Sequence, residues 1–410
     1  MSRVRCVLAV VIVLAAAPPV MAQAPNVGAG PLTQSLPDTE PTVGVLTIGP
    51  VRLAPGLVIR QIGWDDNIFD ERDNPKDDFV ATIAPDVAAF TRLRFVQLSG
   101  YAGVDFNYFK TYEQERSTGH NLRGRADILL SRLRPFVGGG QVHSRERPNG
   151  EIDVRADRDE NELSGGVAFD ISRYGVIYGA AYQHETRFTN AFEEGVDLGV
   201  ALNRDRYLYS GGLRTELTPL LAMNVSASYS EDLFKADPTR NAESWAGTVE
   251  FRFDPDAVVS GQATLGYLDF VPVNPAIEPY RGFIGSGSIV YPFIEIGRFA
   301  VQGLRRTEFS FDTDDAYFVE STLTLSYTHF LFGEVDVQVK GSKSWFDYGF
   351  TATSPARQDN YDAAGGSLGY NLRNRTRISM NYEYARRRSL ELPERNYDRR
   401  RWFLAWTFAY

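Results

Sequence analysis

From residue 55 to the end, large apolar side chains recur at every second position, in runs too long for an ordinary soluble strand. In "SWAGTVEFRF", Trp245, Gly247, Val249, Phe251 and Phe253 share one face, and Ser244, Ala246, Thr248, Glu250 and Arg252 share the other. "LAMNVSASYSED" (221–232) and "EVDVQVKGSKSW" (334–345) repeat the pattern. Strict alternation makes a strand with one apolar and one polar face. These runs are about twice the five or six residues usual in soluble strands. They match the roughly nine to eleven residues that a tilted strand needs to cross a bilayer. Eighteen such segments can be placed between residues 56 and 410, and no long 3.6-residue stripe follows the first two dozen residues.

The connections alternate in length. One set is tight, as in "SRYG" (172–175), "TPL" (218–220), "LFG" (331–333) and "RNR" (373–375). The other is longer and charged: "DERDNPKDD" (70–78), "ERPNGEIDVRADRDE" (146–160), "TNAFEEGVDLGVALN" (189–203), "VPVNPAIEPY" (271–280) and "LELPERN" (390–396). Short turns on one side and long loops on the other mark a bacterial outer-membrane barrel. The expected fold is therefore all-β: an antiparallel transmembrane barrel of 16–18 strands, with 18 preferred.

The end of the chain fits that expectation. Trp402, Leu404, Trp406, Phe408 and Tyr410 alternate to the last residue. A closing strand must pair with the first so that no edge is left in lipid. The pattern resembles the C-terminal signal by which barrel-insertion machinery recognises outer-membrane proteins. Aromatics near segment ends (Trp64, Phe69, Tyr108, Tyr182, Tyr207, Trp245, Tyr267, Tyr291, Tyr327, Trp345, Tyr384) suit interfacial girdles.

At the other end, "MSRVRCVLAVVIVLAAAPPVMAQ" reads as a secretory signal peptide over 1–22, cut after Ala22 or, alternatively, Ala24. The single cysteine, Cys6, lies within it, so the exported chain uses no disulfide. Residues 23–54 read as a flexible periplasmic linker rich in Pro, Gly, Ser and Thr, too short for a plug domain, and 55–410 as the barrel. The net charge of −9 argues against nucleic acid as a partner. Outer-membrane lipid and lipopolysaccharide are expected partners.

A barrel of this size leaves room for an aqueous lumen. Charged residues expected to line it are Arg123, Arg125, Asp127, Arg145, Glu185, Arg187, Arg214, Glu216, Glu250, Arg252, Arg306, Glu308, Glu334, Asp336, Lys340, Arg377 and Glu383. Opposed charges across a lumen select solutes by size and polarity; paired on neighbouring strands, they merely stabilise the wall. Arg305 breaks the alternation, which implies a bulge or a place near an interface. Nothing points to an enzyme: the four histidines lack a zinc-protease spacing, and Gly285-Ser286-Gly287 lacks the strand-turn-helix context of a nucleophile elbow. A Ser-His pair of the kind found on lipid hydrolase barrels would have to come from His143 with Ser144, or from His329. No cofactor or metal site is legible.

One stretch is more particular. In "RQIGWDDNIFDERDNPKDDFVATIAPDVAAF" (60–90), Gly63, Asp65, Asp66, Asn67, Ile68 and Phe69 precede an Asp-rich loop, Phe79 and Pro85. This resembles a family of β-barrel porins widespread in proteobacteria. Members of that family are often associated with exopolysaccharide synthesis and export. The resemblance implies an outer-membrane pore above a periplasmic polysaccharide-export protein and an inner-membrane partner. Physically, Asp65, Asp66 and Asn67 would cap the first strand and order the first loop. Two functions remain open: a conduit for polysaccharide secretion, with Tyr101, Phe109 and Tyr361 as stacking surfaces, or a general or sugar-selective diffusion porin. Neither 146–160 nor 189–203 is long enough to promise a loop that fully constricts the lumen.

Overall fold

A computed structural model gives the structure, describing residues 46–255, 257–293, 296–312, 315–348, 357–372 and 376–409. The leader, most of the linker and Tyr410 lie outside the described residues. The barrel strands are β1 Val51–Asp65, β2 Asp78–Leu93, β3 Val96–Phe109, β4 Ser117–Ile128, β5 Leu133–Glu146 and β6 Ala156–Asp170. Next come β7 Gly175–Thr189, β8 Arg204–Thr218, β9 Leu221–Leu233, β10 Ala242–Phe253, β11 Ser260–Pro272 and β12 Tyr280–Phe293. The last six are β13 Gly297–Phe309, β14 Tyr317–Leu331, β15 Val335–Asp347, β16 Gln358–Leu372, β17 Thr376–Ser389 and β18 Tyr397–Ala409. Each pairs antiparallel with its neighbours in sequence, and β18 pairs with β1. The result is the closed 18-strand barrel that the alternation predicts. The first strand begins at Val51, inside the stretch read as linker, and Leu46–Ile48 folds back on it.

Closure explains the hydrophobic terminus. Trp402, Leu404, Trp406 and Phe408 stand opposite Trp64, Ile62, Ile59 and Leu57, so the last strand's apolar face continues the first strand's. A register shift between Ile59 and Ile62 lets the two strands meet. Outward positions carry the exposed apolar side chains, among them Trp245, Leu265, Phe283, Leu325, Val339, Leu368, Trp402 and Leu404. In water such a surface would aggregate; in lipid it is the buried face. Tight turns close the periplasmic ends. In one of them Phe332 and Gly333 both have positive φ (53° and 78°), the twist that a two-residue hairpin needs.

The opposite ends carry nine loops: L1 (66–77), L2 (110–116), L3 (147–155), L4 (190–203), L5 (234–241), L6 (273–279), L7 (310–316), L8 (348–357) and L9 (390–396). Of these, L3, L4, L5 and the described part of L7 fold together over the barrel mouth. The main apolar cluster is built there, from L3, L4, L5 and L7 packed on inward residues of β7 and β11 and on the loop ends of β13 and β14, beyond the last β12–β13 pair at Arg305. Ile152, Phe188, Leu198, Leu202, Phe234, Phe270, Phe311 and Tyr317 are its centre.

Candidate functional site: the loop-filled mouth of the barrel

The register fixes which charged side chains face the lumen. Arg123, Arg125 and Asp127 on β4, Arg214 and Glu216 on β8, Glu250 and Arg252 on β10, Arg306 and Glu308 on β13, Asp336 and Lys340 on β15, and Arg377 and Glu383 on β17 occupy inward positions. Most are paired along the wall. Arg125 holds Asp127 at 2.8 Å, Arg306 holds Glu320 at 3.0 Å, Arg377 holds Asp336 at 2.6 Å, and Lys340 and Arg401 share Glu383. Three expectations are corrected. Arg145, Glu185 and Arg187 stand on outward positions, in register with lipid-facing residues. They lie at the loop end of their strands, where both faces are polar and alternation no longer tells in from out. Glu334 lies in a periplasmic turn, accepting a bond from Tyr370 Oη at 2.8 Å. Tyr182, read as a girdle residue, faces inward. Tyr101, Phe109 and Tyr361 also face inward; Phe109 and Tyr361 are buried under the loops rather than presented to a solute.

Arg305 is outward with no bulge, in plain register between Gly285 and Ser321, one ladder step from Phe283. His143 also points outward, where its Nδ1 meets Asp159 at 2.8 Å and its ring stacks on His120. Ser144 points the other way and bonds Glu146, so the Ser-His pair does not meet. Among the described residues no group of three or more His, Cys, Asp or Glu is placed to hold a metal ion.

The mouth of the lumen is crossed by L3, despite its modest length. Its stem is seated by two arginines that donate to the same backbone oxygen: Arg147 and Arg155 each reach Ile68 O at 2.9 Å. Arg147 also pairs with Asp70 (3.0 Å) and Arg155 with Glu115 (3.4 Å), so L1 and L2 carry the stem. The side chain of Asn149 accepts the amides of Glu151 and Ile152 at 2.9 and 3.2 Å and turns the loop inward. The tip then crosses the mouth. Glu151 accepts Ser310 Oγ at 2.6 Å and the Phe311 amide at 3.2 Å, on the β13–β14 connection of the far wall. Arg387 of β17 donates to Glu151 O at 3.2 Å and to Asp153 at 3.3 Å, while holding Asp359 at 2.9 Å. Ile152 enters the apolar cluster, and the Val154 amide bonds Glu193 of L4 at 3.0 Å.

L4 adds a second inward element. A two-residue hairpin turns at Gly195 (φ 85°) into a short helix, Leu198–Leu202, capped by Asp197 on the Gly199 amide at 2.8 Å. Leu198, Ala201 and Leu202 are buried in the cluster, and Arg395 of L9 grips Glu194 at 2.6 Å. Burial pushes the Glu151 carboxyl up to about 7, although Ser310, Arg395 and Arg357 oppose it. Burial raises Asp153 to about 7 as well, against the pull of Arg387.

The first-loop motif is the foundation of this arrangement. Arg399 of β18 forms a two-pronged pair with Asp65, its Nε at 2.9 Å from Oδ1, and reaches Asp70 at 3.3 Å. Asp66 accepts the Arg400 amide at 2.6 Å. Asn67 donates to Glu71 O (2.8 Å) and Asp398 O (3.0 Å), so one side chain ties L1 to the last strand. Phe69 packs edge-on against Tyr112. Gly63 has no room for a side chain: a Cβ would lie 2.0 Å from Trp402 O. The motif therefore closes the barrel and holds up Ile68 and Asp70, on which L3 rests.

The family model described as "Putative beta-barrel porin 2" matches residues 43–410. Among solved structures, a BenF-like porin from Pseudomonas fluorescens Pf-5 is similar at 10% identity and TM-score 0.50, over 87% of this chain and 99% of that one. OccAB3 of Acinetobacter baumannii (10%, TM-score 0.49, covering 87% and 99%) and OccK3 (OpdO) of Pseudomonas aeruginosa (11%, TM-score 0.49, covering 87% and 96%) are also similar. At these identities the likeness concerns the fold alone. No curated protein matches the chain.

Proposed function

Because this chain belongs to the beta-barrel porin 2 family, whose model spans residues 43–410, we propose that it is an outer-membrane diffusion pore for small polar solutes. The observation that carries this reading is L3. It is pinned at its tip to Ser310, Phe311 and Arg387 and at its stem to L1 and L2. A loop held at both ends narrows a lumen that 18 strands would otherwise leave wide. A conduit for a continuous polysaccharide chain needs that cross-section clear. Such a chain would have to displace L3, the L4 helix and the buried cluster they share, at a cost of about 1.5–3 kcal/mol for each large apolar side chain exposed. Small solutes need only the space beside the loop. The paired charges of the wall, with few large apolar groups below the loops, suit hydrated polar solutes of either sign.

The test is swelling of proteoliposomes holding the refolded protein, with neutral saccharides of increasing length. The expected result is entry of monosaccharides and a steep fall with size. Entry of long oligosaccharides as fast as monosaccharides would instead support the export conduit, and no swelling with any solute would contradict both.

A further inference from the structure

At and above the aromatic girdle, the outer surface of the barrel is divided by charge. On β6 to β10 the outward positions hold Asp157, Asp159, Glu185, Asp205, Glu231 and Glu243, with Arg187 among them. On β13 to β18 they hold Arg305, Lys343, Arg386, Arg388 and Arg400, against Asp347, Asp362 and Asp398. The basic side chains sit at girdle height by their neighbours. Arg305 is one ladder step from Phe283, Lys343 lies over the Trp345 ring at 5.5 Å, and Arg400 is paired with Tyr384 and is the next outward residue above Trp402. Asp362 already serves both Lys343 (3.7 Å) and Arg386 (3.0 Å). Arg305 and Arg400 are exposed and meet no carboxylate among the described residues; the Arg305 guanidinium bonds only the Ser321 hydroxyl.

An unpaired arginine facing lipid is costly inside the hydrocarbon and favourable at the headgroup level, where its stem lies along the apolar face and its charge meets phosphate. We propose that the outward face of β13–β18 binds the phosphorylated headgroups of outer-leaflet glycolipids, with Arg305 at one end of the face and Arg400, five strands away, each the ligand of a separate phosphate, and Lys343 and Arg386 between them as supporting charge. The planar guanidinium offers phosphate two parallel hydrogen bonds, which the ordinary aliphatic wall of the barrel does not. The acidic face on β6–β10 repels the same headgroup, so the bound lipid is confined to one side.

The test is native mass spectrometry of the refolded protein in detergent, titrated with lipid A and with enzymatically dephosphorylated lipid A. Retention of about one to two phosphorylated lipids, lost roughly tenfold in affinity in Arg305→Gln/Arg400→Gln and in the dephosphorylated lipid, is expected. Folding of the variant is checked by heat-modifiable gel mobility, and Arg187→Gln on the acidic face should bind as wild type does. Equal affinity for the two lipids, or an unchanged double variant, overturns the proposal. So does loss of oligomers with lipid affinity intact, which would make this face a contact between copies of the chain.

Discussion

The hydroxyl of Ser310 donates to the carboxylate of Glu151 at 2.6 Å, joining the tip of the third loop to the wall on the far side of the barrel. Glu151 is wholly buried and also takes the Phe311 amide. Ser310→Ala removes one donor from a buried acid, a change of about 1–3 kcal/mol. L3 should then spend more time away from the wall. Limited proteolysis within 147–155 should accelerate several-fold while the barrel stays heat-modifiable. A cleavage rate equal to wild type would place the hold on L3 elsewhere.

The same acid makes the latch sensitive to pH. Its carboxyl is raised to about 7 in the latched loop, above its ordinary value of 4.5. A group raised in this way stabilises the latched state fully below its free value, and the contribution is lost as pH rises through the raised one. Asp153, also raised to about 7, acts in the same direction. L3 should therefore be held at about pH 5 and loosen above about pH 7. Open-state noise recorded across that range should rise with pH in the wild type and respond less in Glu151→Gln; identical profiles would refute the role of Glu151.

The closing seam rests on Asp65 and Arg399, both buried at the loop end of β1 and β18. Asp65→Ala leaves a buried guanidinium with only Asp70 for charge compensation, a loss of about 3–5 kcal/mol. The midpoint of urea unfolding in lipid vesicles should fall. Because Asp70 then has to serve Arg399 alone, L3 should also become more mobile through Arg147. An unchanged midpoint would show that the pair is dispensable for closure.

Gly63 tests the same seam sterically. A Cβ there would meet Trp402 O at 2.0 Å and Phe403 Cα at 2.5 Å, both belonging to the partner strand. Gly63→Val should block pairing of β1 with β18 at this level and leave the protein unfolded on a heat-modifiability gel. Gly247→Ala, at a glycine with nothing within 4 Å, should fold normally.

The strands were legible because a membrane barrel writes its two environments into alternate residues. All eighteen segments are strands, and Trp402, Leu404, Trp406 and Phe408 lie outward on the closing one. Legibility ends where the environments stop differing. Glu185 and Arg187 rise above the lipid, so polar residues occupy both faces and the inward one cannot be picked out. The inward fold of L3 was not legible from length. It depends on Ser310 and Arg387, which are remote in sequence. The signal present was Ile152, an isolated large aliphatic in a charged loop, together with the apolar "LGVAL" (198–202) in L4. From sequence, the Asp65-Asp66-Asn67 motif reads as a cap on β1 that orders L1. It does so, and its partners on β18 add the closure that a single strand could not reveal.

Latched across the mouth, L3 narrows the pore of the proposed channel. The most direct measurement is single-channel conductance of the refolded protein in a planar bilayer, compared with a variant in which residues 149–153 are replaced by a short Gly-Ser link. Small steps are expected in the wild type and steps several-fold larger in the variant, with longer saccharides entering only the latter. Equal conductance in the two proteins would contradict this, because L3 would then not be the element that limits flow.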